Sequence, residues 1–371
     1  MIRFIVRRLL GIIPIFIGVI ILSFMLMQAA PGGPEAAILG QQRRLTPEQV
    51  DSWLSRWCLQ RSDDIGASAV EFGGWFGVLN CKNDGAEMFL SEQGGPNFLP
   101  AFMGGGDNGL LHGDLGNSIN TGRPVQDMIG ERVPGTLMLT ITALVLWVSV
   151  AVFVGVYAAV RRYSLFDHSM TFFSYVFYSL PTFWLGLMLI FVFGPMLDLL
   201  PTGGVVSARE WPAFGSPQFW GAAASRPVDA FLDIGRHLIL PVVTLVAVNI
   251  AADSRFVRAS MLEALGQDYV RTARAKGLAG RVVVTKHALR NALLPLVTNV
   301  ALTLPFLFSG AVVTETIFSW PGMGRLFIEA LGDRDYFLLM GIIMVTSIII
   351  LIANLLADVV YGIVDPRIRY D

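Results

Sequence analysis

Charge is what this chain has least of. Asp, Glu, Lys and Arg make up 15% of its 371 residues, against roughly one-quarter in soluble domains, while hydrophobic residues reach 54%. That balance excludes an ordinary soluble fold and implies an integral membrane protein. A net charge of -1 argues against general nucleic-acid binding, which needs a basic excess spread over a face. No GxxxxGK[ST] stretch occurs, so the chain carries no P-loop of its own. No HExxH occurs, and His112, His168, His237 and His287 are scattered and never at ligand spacing, which argues against a metal site. A paired nucleophile and base is also missing, so an intramembrane enzyme is disfavoured and no catalytic residue is assigned. Internal repeats are not evident, which removes support for an inverted-repeat secondary transporter.

Long apolar runs are what the chain does have. Stretches able to span a bilayer, about 20 residues each, occur at Leu9–Ala30, Thr136–Val160, Thr171–Leu199, Leu238–Val257, Ala292–Val313 and Phe337–Val360. We expect six transmembrane helices. Arg3, Arg7 and Arg8 precede the first run and Ala29 and Ala30 close it, as in a signal peptide. The run exceeds the 7–15 residues typical of a signal h-region, so a retained signal-anchor helix is expected. With the N-terminus inside, fifteen of the 27 Lys and Arg fall in residues 1–8, 161–170, the end of the fourth run through Arg290, and the tail after Tyr361. Those pieces are short, so the positive-inside bias places both termini in the cytoplasm.

Between the first two runs lie about 100 residues, too long for a plain connection and expected to form an extracytoplasmic domain. Within it, LTPEQVDSWLSRW offers Thr46 as a helix cap with Glu48 in the first turn. The only cysteines, Cys58 and Cys81, both fall there, on the side where disulfides persist. A Cys58–Cys81 disulfide is expected, with two free thiols the alternative. Residues 200–237 form a second outer loop rich in Gly, Pro and Trp, either lying on the membrane surface or shaping the mouth of a pathway. After the fifth run, Pro321, Gly322 and Gly324 interrupt an amphipathic stretch, as a short element dipping into the outer interface would.

Ionisable groups in or near the runs are few: Asp198, Asp253, Asp358 and, just past the fifth run, Glu315. An intramembrane acid is a candidate for ion coupling. Terminal acids reaching interfacial water, or pairing with an Arg such as Arg255, are the favoured alternative.

The exception to the scarcity of charge is DYVRTARAKGLAGRVVVTKHALRNALLP, Asp268 to Pro295, where Arg271, Arg274, Lys276, Arg281, Lys286 and Arg290 gather around Gly277. Two short helices broken at Gly277 and Gly280 are expected, since glycine allows the left-handed turn that ends a helix. Tyr269, Val270 and Ala273 make one apolar stripe, and Val283, Val284, His287 and Ala288 another. Contact with anionic lipid accounts for the charge but not for the helix-glycine-helix plan. Small residues at Ala273 and Ala275 suggest a docking knob that a partner approaches closely.

YVRTARAKG followed by HALRNALLP resembles the cytoplasmic coupling loop of ABC importer permeases of the dipeptide/oligopeptide group. The general pattern there is EAA, three residues, Gly, nine residues, then I-x-L-P. Here Arg271-Thr272-Ala273 stands in place of EAA, Gly277 at the glycine, and His287-Ala288-Leu289-Arg290 in place of I-x-L-P. Further similar stretches are LHGDLGNSINTGRPV at Leu111–Val125, SLPTFWLG at Ser179–Gly186, LPTGG at Leu200–Gly204, LPVVTL at Leu240–Leu245, ETIFSWPGMGRL at Glu315–Leu326 and NLLADVVYGIVDPRIRY at Asn354–Tyr370. The chain looks like the first of the two permease subunits. It departs from the group at Gly33, where Asp is common, and in residues 41–110, which look longer than usual.

The resemblance implies an all-α membrane protein of the type I ABC importer fold. Its parts would be an N-terminal segment and first helix (1–30), an enlarged extracytoplasmic loop domain (31–133) and a permease core (134–371) with a coupling loop at 261–291. It implies a bacterial or archaeal inner membrane, contact of this chain with membrane lipid, and a complex with a paralogous permease, two cytoplasmic ATPase subunits and an extracytoplasmic solute-binding protein. ATP and Mg would sit on the ATPases and no cofactor on this chain. The coupling residues implied are Tyr269, Arg271, Ala273, Arg274, Lys276, Gly277, Leu278, Lys286 and Arg290. Peptides are the implied cargo, with oligosaccharides or nickel chelates as alternatives, and no substrate residue is assignable. An ion-coupled secondary transporter or a structural scaffold remains as the reading from another class.

Overall fold

In the computed structural model, residues 2–29, 115–308 and 311–364 are described. Cys58, Cys81, Gly33, the helix expected after Thr46 and most of the expected loop domain lie outside them. The described residues are helical apart from loops and one isolated bridge between Asn117 and Pro124.

Helix α1 is Ile2–Ala29, α2 Val125–Val160, α3 Leu165–Ser179 and α4 Thr182–Phe191, extended by a π-helical turn Val192–Met196. Then come α5 Pro217–Ser225, α6 Pro227–Gly266 and α7 Asp268–Ala275. Helix α8 starts at Gly280–Val282, turns π-helical over Val283–Ala288 and ends at Leu289–Ala292. Last are α9 Leu294–Phe308, α10 Val312–Ile317, α11 Met323–Gly332 and α12 Tyr336–Val364. Among the described residues, α2, α6 and α12 are each long and apolar enough to cross a membrane. The 40 residues of α6 reach about 60 Å at 1.5 Å per residue, so this helix overhangs any bilayer core.

The third apolar run, expected as one span, is bent: α3 and the α4 segment meet at 100°. Pro181 is the cause: it lacks an N–H and forces the residue before it out of helical angles, and Leu180 is extended at φ -80, ψ 130. The fifth run is also divided, into α9 and α10.

The chain forms two compact units. One comprises Glu131–Leu326 with Met1–Ile12 and Thr346–Asp371, the other Ile13–Gly130 with Phe327–Val345. In the first, α2 packs on α6 through residues four apart, Leu139, Ala143, Trp147 and Ala151, against Val242 and Val246. Small residues let membrane helices approach closely. Gly155 shows the limit: a Cβ there would lie 2.6 Å from the Ser254 carbonyl oxygen.

Residues 200–237, expected as an outer loop, include α5 and the start of α6. Phe219 of α5 is buried against Trp211 and Phe214, and Ser207 ties to Asp233 of α6 through its N–H and hydroxyl, both at 2.7 Å. In the second unit Asp335 is buried. It accepts from the Leu338 N–H at the start of α12 and from the Ser118 hydroxyl, which holds the turn before α2 in place.

Candidate functional site

The helix-glycine-helix stretch has the expected plan and a sharper internal logic. Helix α7 stops because Gly277 turns left-handed, φ +74. The Gly277 N–H then donates to the Arg274 carbonyl at 2.9 Å and the Leu278 N–H to that of Ala273 at 3.4 Å, the paired bonds of a Schellman cap. A Cβ on Gly277 would meet nothing within 4 Å. The backbone angle, and no neighbouring atom, makes this position a glycine.

Val270, 0% exposed, and Ala273, 4% exposed, pack with Val283, Ala288 and Ala292 against Val257, Met261 and Ala264 at the end of α6. Ala159 of α2 and Leu296 of α9 complete the same cluster. The π-helical turn matters here, because bonding five residues apart brings Val283 and Ala288 onto one buried face. One expectation changes: Tyr269 leaves the apolar stripe and is exposed, while Ala273 lies inward with Val270. The small Ala273 side chain is packed inside the loop, and Ala275 is exposed.

Every basic residue picked out around Gly277 is exposed: Arg271, Arg274, Lys276, Arg281, Lys286 and Arg290. Tyr269, Leu278 and Val282 add exposed apolar surface among them. Arg271 has Asp268 at 3.4 Å, both open to solvent. The loop is thus a packed knob, apolar inside and basic outside.

A second glycine-built region surrounds Glu315. Its side chain is 0% exposed and accepts from the Thr136 hydroxyl at 2.8 Å and the Arg325 N–H at 3.0 Å. Thr136 in turn accepts from the Met323 N–H at 2.7 Å, and Trp320 donates through Nε1 to the Gly135 carbonyl at 2.8 Å. Any Cβ on Gly322 would strike the Glu315 carboxylate, and one on Gly324 would come 2.7 Å from Val312 Cα. The expected short interfacial element is therefore a closed knot around a carboxylate, followed by α11.

Two groupings escaped sequence reasoning. Asp167, in the first turn of α3, is buried and holds Arg258 of α6 by two hydrogen bonds, 2.5 and 2.7 Å. It also accepts from the Tyr163 N–H at 2.9 Å, while the Ser164 hydroxyl caps Asp167. The hydrogen bonds from Arg258 outweigh the effect of burial and hold the Asp167 carboxyl below its ordinary range. Both residues lie outside the apolar runs. The sequence signal was Ser164-x-x-Asp167, a cap pattern. Asp253 is bonded to Asn299 at 3.0 Å rather than to Arg255, which stacks over Tyr175 at 4.6 Å. Among the described residues no group of three or more His, Cys, Asp or Glu is placed to hold a metal ion.

Residues 151–370, which include the knob and most of the Glu315 knot, match the family described as binding-protein-dependent transport system inner membrane component. The chain belongs to that family. This permease is 37% identical over its whole length to the dipeptide transport system permease protein DppB of Escherichia coli (strain K12), covering 99% of that protein. It is 34% identical to the oligopeptide transport system permease protein AppB of Bacillus subtilis (strain 168) over all of both chains. To the di/tripeptide transport system permease protein DppB of Pseudomonas aeruginosa (strain UCBPP-PA14) the identity is 36%, over all of this chain and 99% of the other. The permease is an inner membrane component of a transport system, in keeping with its apolar helices.

Proposed function

We propose that this permease pairs with a paralogous permease to form the alternating-access pathway of an ATP-driven importer of di- and oligopeptides. A solute-binding protein delivers the cargo and two ATPase subunits act on the other side. Peptide cargo rests on the relatives, whose names carry dipeptide, di/tripeptide and oligopeptide transport. Six spans with both termini in the cytoplasm fit the apolar runs and the Lys and Arg distribution. The ion pair between Arg8 near the start of α1 and Asp358 near the end of α12, at 3.2 Å, supports termini on one side.

The observation that carries the mechanism is the knob from Tyr269 to Leu289. Its inner face is one packed body with the end of α6, so a push on its outer face moves α6 and the start of α9 as a lever. Its exposed basic and apolar groups match a cleft in an ATPase subunit with an acidic rim. Closure of the ATPase pair on ATP then changes the side to which the pathway opens. Because space around Gly277 is open, Gly277→Trp adds the strain of the left-handed angle but no clash, so the permease should stay in the membrane while docking is obstructed. Uptake and its coupling to ATP hydrolysis should both be lost; normal uptake by that variant sinks the docking reading. Purification of the tagged chain in mild detergent should recover a second permease and P-loop ATPases. A homo-oligomer without an ATPase would contradict the assembly.

A further inference from the structure

Arg258 follows Val257 on α6, one turn before Met261, and both of those neighbours are buried in the cluster that holds the knob. Its guanidinium leaves that cluster and grips Asp167 in the first turn of α3. On the assembly proposed above, we propose that the Asp167–Arg258 pair is a positioning strut that carries knob movement from α6 into α3.

Three features of the geometry support a strut. The pair is two-pronged, and a guanidinium fork on a carboxylate fixes angle as well as distance. A Lys or a van der Waals contact would let the helices slide. Asp167 is also held from behind, by the Tyr163 N–H at 2.9 Å, in a turn where Tyr163 itself is left-handed at φ +63. Force on the carboxylate therefore moves the whole turn instead of swinging one side chain. Finally, α3 is a separate rod, set off from α4 by the 100° bend at Pro181. Displacing its first turn can tilt it without dragging α4. The neighbouring tie, Arg255 over the rings of Tyr175 and Tyr178 at 4.6 and 5.4 Å, permits that tilt because a cation over a ring face has little directional demand.

Stability alone explains the pair poorly. Ion pairs that are partly removed from water are often no more stabilising than apolar side chains of the same volume, so their value lies in where they hold things.

The test uses the complete transporter in proteoliposomes, with radiolabelled dialanine as cargo, and compares ATP hydrolysed with dipeptide taken up. Arg258→Met keeps the length of the side chain and removes the fork. It should leave hydrolysis within about twofold of wild type and lower uptake by about tenfold. Arg258→Lys should fall between the two. A merely structural pair would lower both activities in proportion, and that result, or unchanged uptake, overturns the strut. Should Arg258→Met not assemble, Arg258→Lys is read by the same ratio, and an unchanged ratio overturns it equally. Absence of ATP-dependent dipeptide uptake in the wild-type transporter is a different failure, of the import reading itself, and takes the strut with it.

Discussion

The permease has two regions built on glycine, and they are glycine for opposite reasons. Around Glu315 the glycines are set by space: Gly322 and Gly324 have no room for a Cβ because the carboxylate and Val312 fill it. At Gly277 the space is empty and the left-handed backbone angle decides. The first region is complete within this chain, with its carboxylate and Trp320 already partnered. The second is finished only on its inner face and leaves basic and apolar groups exposed. A region closed on itself is a scaffold, whereas one closed on a single side is a surface for something else.

The sharpest way to break the comparison is Gly322→Ala. Its methyl would displace the Glu315 carboxylate, which cannot move without giving up Thr136 and Arg325. Overpacking together with an orphaned buried group should cost about 3–5 kcal/mol. A large drop in melting temperature and in yield from detergent is expected; a variant as stable as wild type would show the knot to be loose.

Glu315→Gln is milder because it keeps the shape. The donors around Glu315 include the Thr136 hydroxyl on one oxygen and the Arg325 N–H on the other, and an amide can accept with only one end. One donor is left facing an NH2 group, for a loss of about 1–3 kcal/mol that thermal unfolding of the purified permease would read.

The outer surface and inner stripe of the knob were legible in sequence, because Gly277, the basic residues and Val270, Val283 and Ala288 lie within one local stretch whose periodicity shows their faces. The exposure of Tyr269 was missed, since adjacent stripe positions are separated only by what they pack on. The Glu315 knot was illegible for a different reason: Thr136 is 179 residues away, and no local pattern pairs the two. Asp167 and Arg258 are 91 residues apart, with only the cap pattern to mark one end. The bend at Pro181 and the failure of Asp253 to meet Arg255 needed no structure. A residue before proline avoids helical angles, and side chains two apart on a helix do not face each other.

Gly277→Ala sharpens the other half of the comparison. A left-handed angle costs a non-glycine residue about 1–2 kcal/mol, with no clash added because nothing lies within 4 Å. Gly277→Asn, which tolerates that angle, should recover most of the loss. Both should remain far more stable than Gly322→Ala in the same melting assay. If Gly277→Ala were as damaging as Gly322→Ala, the open space around Gly277 would be wrong.

The smallest effect is expected at Arg271→Glu, and there the comparison separates stability from function. Arg271 and Asp268 are both open to solvent, and such a pair contributes less than about 1 kcal/mol, so the melting temperature should hardly move. If the knob docks on ATPase subunits as proposed, reversing one charge on its basic face should nevertheless weaken that association, and more so at low salt, where exposed charges act over longer distances. Co-purification of ATPase with the variant across a salt series checks this. A loss that salt does not alter would assign the grip of the knob to its apolar residues, Tyr269, Leu278 and Val282, and leave the basic ring to the membrane surface.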